Sequence, residues 1–305
     1  MTLLLHESKE NYDLKMQGHY QKSLLNAMTV DVEEYFQVYA LSSKINRDDW
    51  AWMTSRVVDS MQRILDLFSE HNVKATFFTL GWVGERHPEL IKQMVAKGHE
   101  IASHSYDHQR IDSMDADQFR EDARKSKQIL EDISGQKVKG YRAPTFSIGR
   151  KTPWFFDILA EEGYMYSSSI YPVQHDLYGM PDGPKSSYRP RFIETPFLEI
   201  PMTVMSVFGK NLPVSGGGYF RLIPYPLFRF LTKQARGQNK RPTIFYFHPW
   251  EIDPKQPHIH DLPLKAQFRH YYNLGMMEEK LRMLCRDFEW DRMDKVFQIG
   301  VTDAS

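Results

Sequence analysis

His104 and His108 lie four residues apart in Ser103-His104-Ser105-Tyr106-Asp107-His108. On a turn of helix that spacing projects both imidazoles from one side, about 6 Å apart at Cβ. Two neutral ring nitrogens so placed suit a divalent metal. Asp31 and Glu33 are two apart in Ala27-Met28-Thr29-Val30-Asp31-Val32-Glu33-Glu34 and share one face of an extended strand. Either a cation or a proton balances this carboxylate pair, or the strand ends in solvent with both acids exposed. Arg142 and His248 add a cation and a further imidazole, each at the end of an apolar run. Bland readings stand beside these: Arg142 as a structural salt-bridge partner, Pro144 as a strand terminator, His248 as a satisfied core histidine. Trp250, Tyr171, Tyr178 and Tyr219 are either stacking platforms for a ligand or plain packing.

The elements that must position these groups alternate regularly. The run 27–34 reads as a strand, and 54–71 as a helix on the 3.6-residue period of Val58, Met61, Leu65 and Phe68. Strand 73–80 follows, then a helix with Pro88 in its first turn and Gly98 as its stop. Strand 99–103 delivers the histidine pair. Helix 115–133, strand 138–144, helix 153–162 and strand 164–170 continue the pattern, each helix stopped by a glycine. A long loop at 171–192, a strand at 197–204, a Gly-rich loop at 216–219 and a helix at 224–236 lead to strand 243–248 and a helical end at 265–288. This repetition predicts an α/β fold, a single distorted (β/α) barrel of about seven parallel strands. Asp31, His104, Arg142 and His248 then all fall at strand C-terminal ends, where barrel active sites are built. No Gly-rich nucleotide loop follows the first strand, which argues against a dinucleotide-binding sheet.

Composition sets the outer limits. The 305 residues carry 39 basic and 39 acidic side chains, so no electrostatic footprint for nucleic acid or an anionic membrane exists. Cys285, the single cysteine, excludes an internal disulfide and fits a reducing compartment. Leu3-Leu4-Leu5 falls far short of a signal-peptide core, and no run reaches the roughly 18 apolar residues of a membrane span. The expectation is a cytoplasmic protein with a polar arm over residues 1–27, a barrel over 28–253 and a C-terminal helical extension over 254–305. Oligomeric state is not legible.

The order of these residues resembles the polysaccharide deacetylase family, the fourth carbohydrate esterase family. That family's second motif, His-Ser/Thr-x-x-His, is met by His104 to His108. Its Arg-x-Pro-aromatic motif is matched by Arg142-Ala143-Pro144 with the aromatic displaced to Phe146, and its strand ending in histidine by Tyr246-Phe247-His248. Asp31-Val32-Glu33-Glu34-Tyr35-Phe36-Gln37-Val38, His248-Pro249-Trp250-Glu251-Ile252-Asp253 and Phe268-Arg269-His270-Tyr271-Tyr272-Asn273-Leu274 are similar to a subgroup associated with exosortase-linked exopolysaccharide loci.

The resemblance implies metal-dependent removal of an N-acetyl group from an N-acetylated sugar of a bacterial polysaccharide or glycan precursor. It implies His104, His108 and an acid as ligands to a divalent ion, with Zn²⁺ expected. Asp31 is then the base, Arg142 its partner and His248 the acid. A backbone N–H near Thr145 or Phe146 meets the oxyanion. Pro144, Thr145, Phe146, Tyr171, Tyr219 and Trp250 are the expected substrate contacts. The chain departs from the family in its first motif, where Val32 replaces the ligating aspartate. Strand geometry favours Glu33 over Glu34 as the substitute, because Glu33 shares a face with Asp31. The usual aspartate partner of the acid histidine is missing from Tyr166-Ser167-Ser168-Ser169, and Asp176 and Asp253 are possible replacements. Two rival readings stay open: a metal-independent amidohydrolase of the same fold acting on a small amide, and a non-catalytic glycan-binding protein.

Overall fold

In the computed structural model of this chain, residues 25–191, 193 and 195–301 are described; the expected N-terminal arm lies outside them up to residue 24. β1 (Asn26–Val32) is buried along its whole length because strands flank it on both edges. From one edge β2 (Thr76–Thr79), β3 (Glu100–Ser103), β4 (Gly140–Tyr141), β5 (Tyr166–Ser167) and β6 (Leu198–Glu199) follow in order, all parallel. β7 (Val204–Val207) and β8 (Lys210–Pro213) form a separate antiparallel hairpin, and β9 (Ile244–Phe247) pairs with the other edge of β1. Seven parallel strands thus curl into a half-barrel. An eighth strand, β10 (Trp290–Asp291), pairs with the start of β1 and was not expected within the C-terminal extension.

The alternation of strand side chains divides the protein into two layers. Met28, Val30, Val32, Phe77, Ile101 and Phe247 face outward into the main apolar core, where the helices cover them. Ala27, Phe78, Ala102, Tyr166 and Tyr246 face the opposite way and form the barrel's own interior cluster. Asp31 and Glu33 belong to this inner face, two and four residues beyond Thr29, whose hydroxyl also points inward to Arg142.

The connecting helices end where their sequences say they should. Ala116–Ser134 starts on Asp115, whose side chain accepts from the Gln118 N–H in a capping box, and stops at Gly135 with φ +66°. Three expectations need correction. The strand expected over 197–204 is split into β6 and β7, with Pro201 between them. The Gly-rich stretch expected as a loop contains a short helix, Gly217–Leu222. The helical end is broken into Leu264–Tyr271 and Met277–Asp287, with Asn273 at φ +56° in the break.

Candidate active site

Arg142 follows β4 and is fully buried inside the barrel, where its guanidinium finds a complete set of partners. Its Nη1 donates to Asp31 Oδ1 at 2.6 Å and Thr29 Oγ1 at 2.9 Å, and its Nε donates to the Ser168 carbonyl at 3.2 Å. The cation also lies 4.0 Å from the centre of the Phe78 ring. One oxygen of Asp31 is therefore committed to Arg142, while Oδ2 faces the His248 ring, with Nε2 4.0 Å away.

Glu33 stands on the same face as Asp31, as an extended strand requires. Its Oε1 accepts from the Trp250 indole N–H at 3.0 Å. Its Oε2 is buried, lies 2.9 Å from His108 Nε2, and makes no hydrogen bond. Burial opposes the charge of Glu33, but the imidazoles of His108, His248 and His104 pull its pKa down to about 2. Glu34 turns away: its carboxylate accepts from the Ser55 hydroxyl and the Arg56 backbone N–H, ahead of the helix Val57–Glu70.

His104 and His108 do come together, with ring centroids 5.2 Å apart, but not on a helix. Ser105 has φ +74° and His108 φ +60°, both left-handed. The loop is tied to its neighbours instead: Gly81 N donates to the Ser105 carbonyl, Trp82 N to the Tyr106 carbonyl, and Asp122 accepts from both Ser105 Oγ and Tyr106 N at 3.0 Å. The helical reading of this spacing is thus corrected. Nδ1 of His104 lies 2.8 Å from the Arg142 carbonyl, which accepts its proton and leaves Nε2 as the free nitrogen. Burial drives the His104 pKa down to about 4, so the ring is neutral at physiological pH. Ligand atoms of Glu33, His104 and His108 lie within 4.8 Å of one another. Two imidazoles, one carboxylate and an orphaned buried oxygen between them fit a divalent ion.

His248, after β9, faces the same cleft from the other side. Its Nδ1 is 2.8 Å from Glu251 Oε1, and Nε2 is 3.7 Å from Glu33 Oε1. Burial opposes its protonation, yet Glu33, Glu251 and Asp31 together push the pKa up to about 9. Glu251 was missed as its partner, although a His-Pro-x-Glu spacing carried the signal: Pro249 starts a tight turn that brings the fourth residue back onto the first. The alternatives fall away. Asp176 pairs with Lys265 and Arg269, and Asp253 pairs with Arg56.

A cavity of about 460 Å³ opens above these groups, lined by Thr145, Phe146, Tyr178, Tyr219, Leu222, Phe268 and others besides the site residues. Thr145 and Phe146 carry φ +54° and +48°, both line the cavity, and the Phe146 N–H is taken by the Ala143 carbonyl. Pro144 is buried in the turn that forces this backbone. Tyr171 corrects another expectation: it is 1% exposed, stacks on Tyr178 and meets Ser215 through its hydroxyl, so it packs the interior and touches no substrate space. Trp250 lines the cavity, but its ring is sandwiched between His248 and His270, at centroid distances of 5.1 and 4.3 Å.

Residues 48–166 match the family model for polysaccharide deacetylase, and residues 168–298 match a domain of unknown function, DUF3473. The peptidoglycan-N-acetylglucosamine deacetylase of Bacillus cereus is 31% identical over 137 residues, 44% of this chain and 48% of that protein. The peptidoglycan deacetylase of Helicobacter pylori is 32% identical over 108 residues, 35% of this chain and 36% of the relative. The chain therefore matches about a third to a half of the length of these relatives. A solved structure from Mycobacterium smegmatis assigned to the polysaccharide deacetylases superposes with a TM-score of 0.56 at 18% identity, over 93% of this chain and 96% of the other. PuuE allantoinase superposes at 0.55 with 18% identity, over 89% and 88%. Likeness at such identity establishes the (β/α) barrel fold.

Proposed function

We propose that this chain, whose residues 48–166 match the polysaccharide deacetylase model, is a metal-dependent hydrolase removing the N-acetyl group from an N-acetylated sugar of a bacterial polysaccharide or glycan precursor. One observation carries the reading: Glu33, His104 and His108 converge on one side of Asp31, while the His248–Glu251 pair faces it from the other. Glu33, His104 and His108 would hold the ion, for which Zn²⁺ fits the donor set. When bound, the ion acidifies water and polarises the acetyl carbonyl.

The residues of the chain supply the remainder. Asp31 Oδ2 takes the proton of the attacking water, and Arg142 holds the carboxylate in place through Oδ1. The Thr145 N–H meets the oxygen on which negative charge develops. His248 gives its Nε2 proton to the departing nitrogen, because an amine anion is too basic to leave unaided; Glu251 holds Nδ1 and so orients the ring. Tyr219 offers its ring to the sugar at the cavity wall, where Tyr178 is held in a stack with His175 and Tyr171.

Acetate release from N-acetylated oligosaccharides and lipid-linked N-acetyl sugars tests this directly. Release that stops with a chelator and returns with Zn²⁺ supports the reading. Turnover indifferent to chelation makes the protein a metal-independent amidohydrolase. Binding without turnover, unchanged in Asp31→Asn, makes it a glycan-binding protein.

A further inference from the structure

Arg221 takes no part in the hydrolysis above, yet it is 2% exposed and directly behind the acid pair. Its Nε donates to Glu251 Oε2 at 2.8 Å. The other two nitrogens donate to backbone carbonyls of the C-terminal segment: Nη2 to Arg269 at 2.8 Å, Nη1 to His270 at 3.2 Å and to Tyr272. Those carbonyls sit at the end of the helix Leu264–Tyr271, where they have no partner within the helix. The same segment grips the short helix Gly217–Leu222 that carries Arg221. Lys280 Nζ donates to the carbonyls of Phe220, Arg221 and Ile223, and Asn273 Nδ2 to that of Arg221.

Glu251 is thereby divided between two partners. Oε1 accepts from His248 twice, from the backbone N–H at 3.1 Å and from the ring Nδ1, while Oε2 belongs to Arg221. The carboxylate also lies hard against Gly217, where a Cβ would stand 2.2 Å from Oε1, so only glycine leaves room for it. We propose that Arg221, locked by the backbone of residues 269–272, is a positioning residue: it fixes Glu251 so that the His248 Nδ1 stays bonded and Nε2 faces the cleft. The C-terminal extension is then part of the proton-donating machinery rather than a cover on the barrel. This inference rests on the hydrolytic reading above.

The test compares two leaving groups. An N-acetyl sugar needs the acid, whereas 4-nitrophenyl acetate has a leaving group stable without a proton. In Arg221→Lys, kcat for the N-acetyl sugar is expected to fall roughly a hundredfold, the size of a lost general acid. KM, bound metal and aryl acetate hydrolysis should each change less than about threefold. Gly217→Ala, which crowds Glu251 without touching the charge of Arg221, should reproduce the pattern. An equal loss on both substrates, or no loss on either, overturns the proposal. A second arm is independent of turnover: ¹⁵N-histidine NMR of the whole chain should show a slowly exchanging His248 Nδ1–H that is lost in Arg221→Lys. If the protein deacetylates nothing, the hydrolytic reading fails, and this signal still decides: its loss supports the positioning role and its persistence overturns it.

Discussion

Glu33 Oε2 and His108 Nε2 face each other at 2.9 Å, both buried, with no hydrogen bond between them. An acceptor oxygen and a ring nitrogen held this close are stabilised when both ligate one cation. Glu33→Gln should therefore lose metal by more than about tenfold in affinity. Glu34→Gln should keep its metal and instead weaken the start of the helix Val57–Glu70, by about 1–2 kcal/mol, since it loses the charged acceptor for Arg56 N. Metal analysis and thermal unfolding of both variants check this; the opposite ranking would overturn the assignment of Glu33.

Asp31 stands outside the ligand set and inside hydrogen-bond reach of Arg142. Asp31→Asn should lower kcat for acetate release by roughly 10²–10⁴ while bound metal stays constant. Arg142→Met is a different kind of lesion. It leaves Asp31 buried without its cation, and breaking such a pair costs about 3–5 kcal/mol. A denaturation midpoint unchanged in Arg142→Met would show that the pair is not structurally coupled.

Thermal stability of the chelated protein should depend on pH through the histidines. His248 is raised to about 9 in the folded state, against its carboxylate neighbours. Its contribution is complete below the unfolded pKa of about 6.5 and is lost as pH rises through 9, at up to about 1.4 kcal/mol per pH unit. Burial depresses His104 to about 4 and His99 and His270 to about 3, so their contribution is complete above 6.5 and lost as pH falls. Between pH 7 and 9 the melting temperature of the chelated protein should therefore fall, and His248→Asn should reduce that fall.

The parallel α/β order was legible because buried strands and glycine-stopped helices leave local periodicities. The strand-end placement of Asp31, His104, Arg142 and His248 followed from that order. What was not legible depends on contacts distant in the chain. The His104–His108 spacing reads as a helical turn, but N–H groups of Gly81 and Trp82 draw the carbonyls of Ser105 and Tyr106 sideways and force left-handed backbone. Tyr171 and Tyr219 look alike in sequence and differ only in which side of the cavity wall they occupy. Arg221 finds its carbonyl partners 48 to 51 residues further on, and by taking them it marks the break that interrupts the terminal helix. Glu251 was the exception, a partner three residues away that only the turn at Pro249 reveals.

Trp250 separates packing from ligand tuning. Its indole N–H donates to Glu33 Oε1, the oxygen not directed at His108, and so fixes which oxygen remains for the ion. Trp250→Phe keeps an aromatic ring between His248 and His270 but deletes that donor. The carboxylate is then free to rotate, and the loss of such an outer partner typically weakens metal binding about 10–100-fold. Competition against a chromophoric chelator should show affinity reduced by at least about tenfold, with the melting temperature of the chelated protein little changed. If affinity is unaltered while stability drops, Trp250 serves packing alone and Glu33 is oriented by its strand.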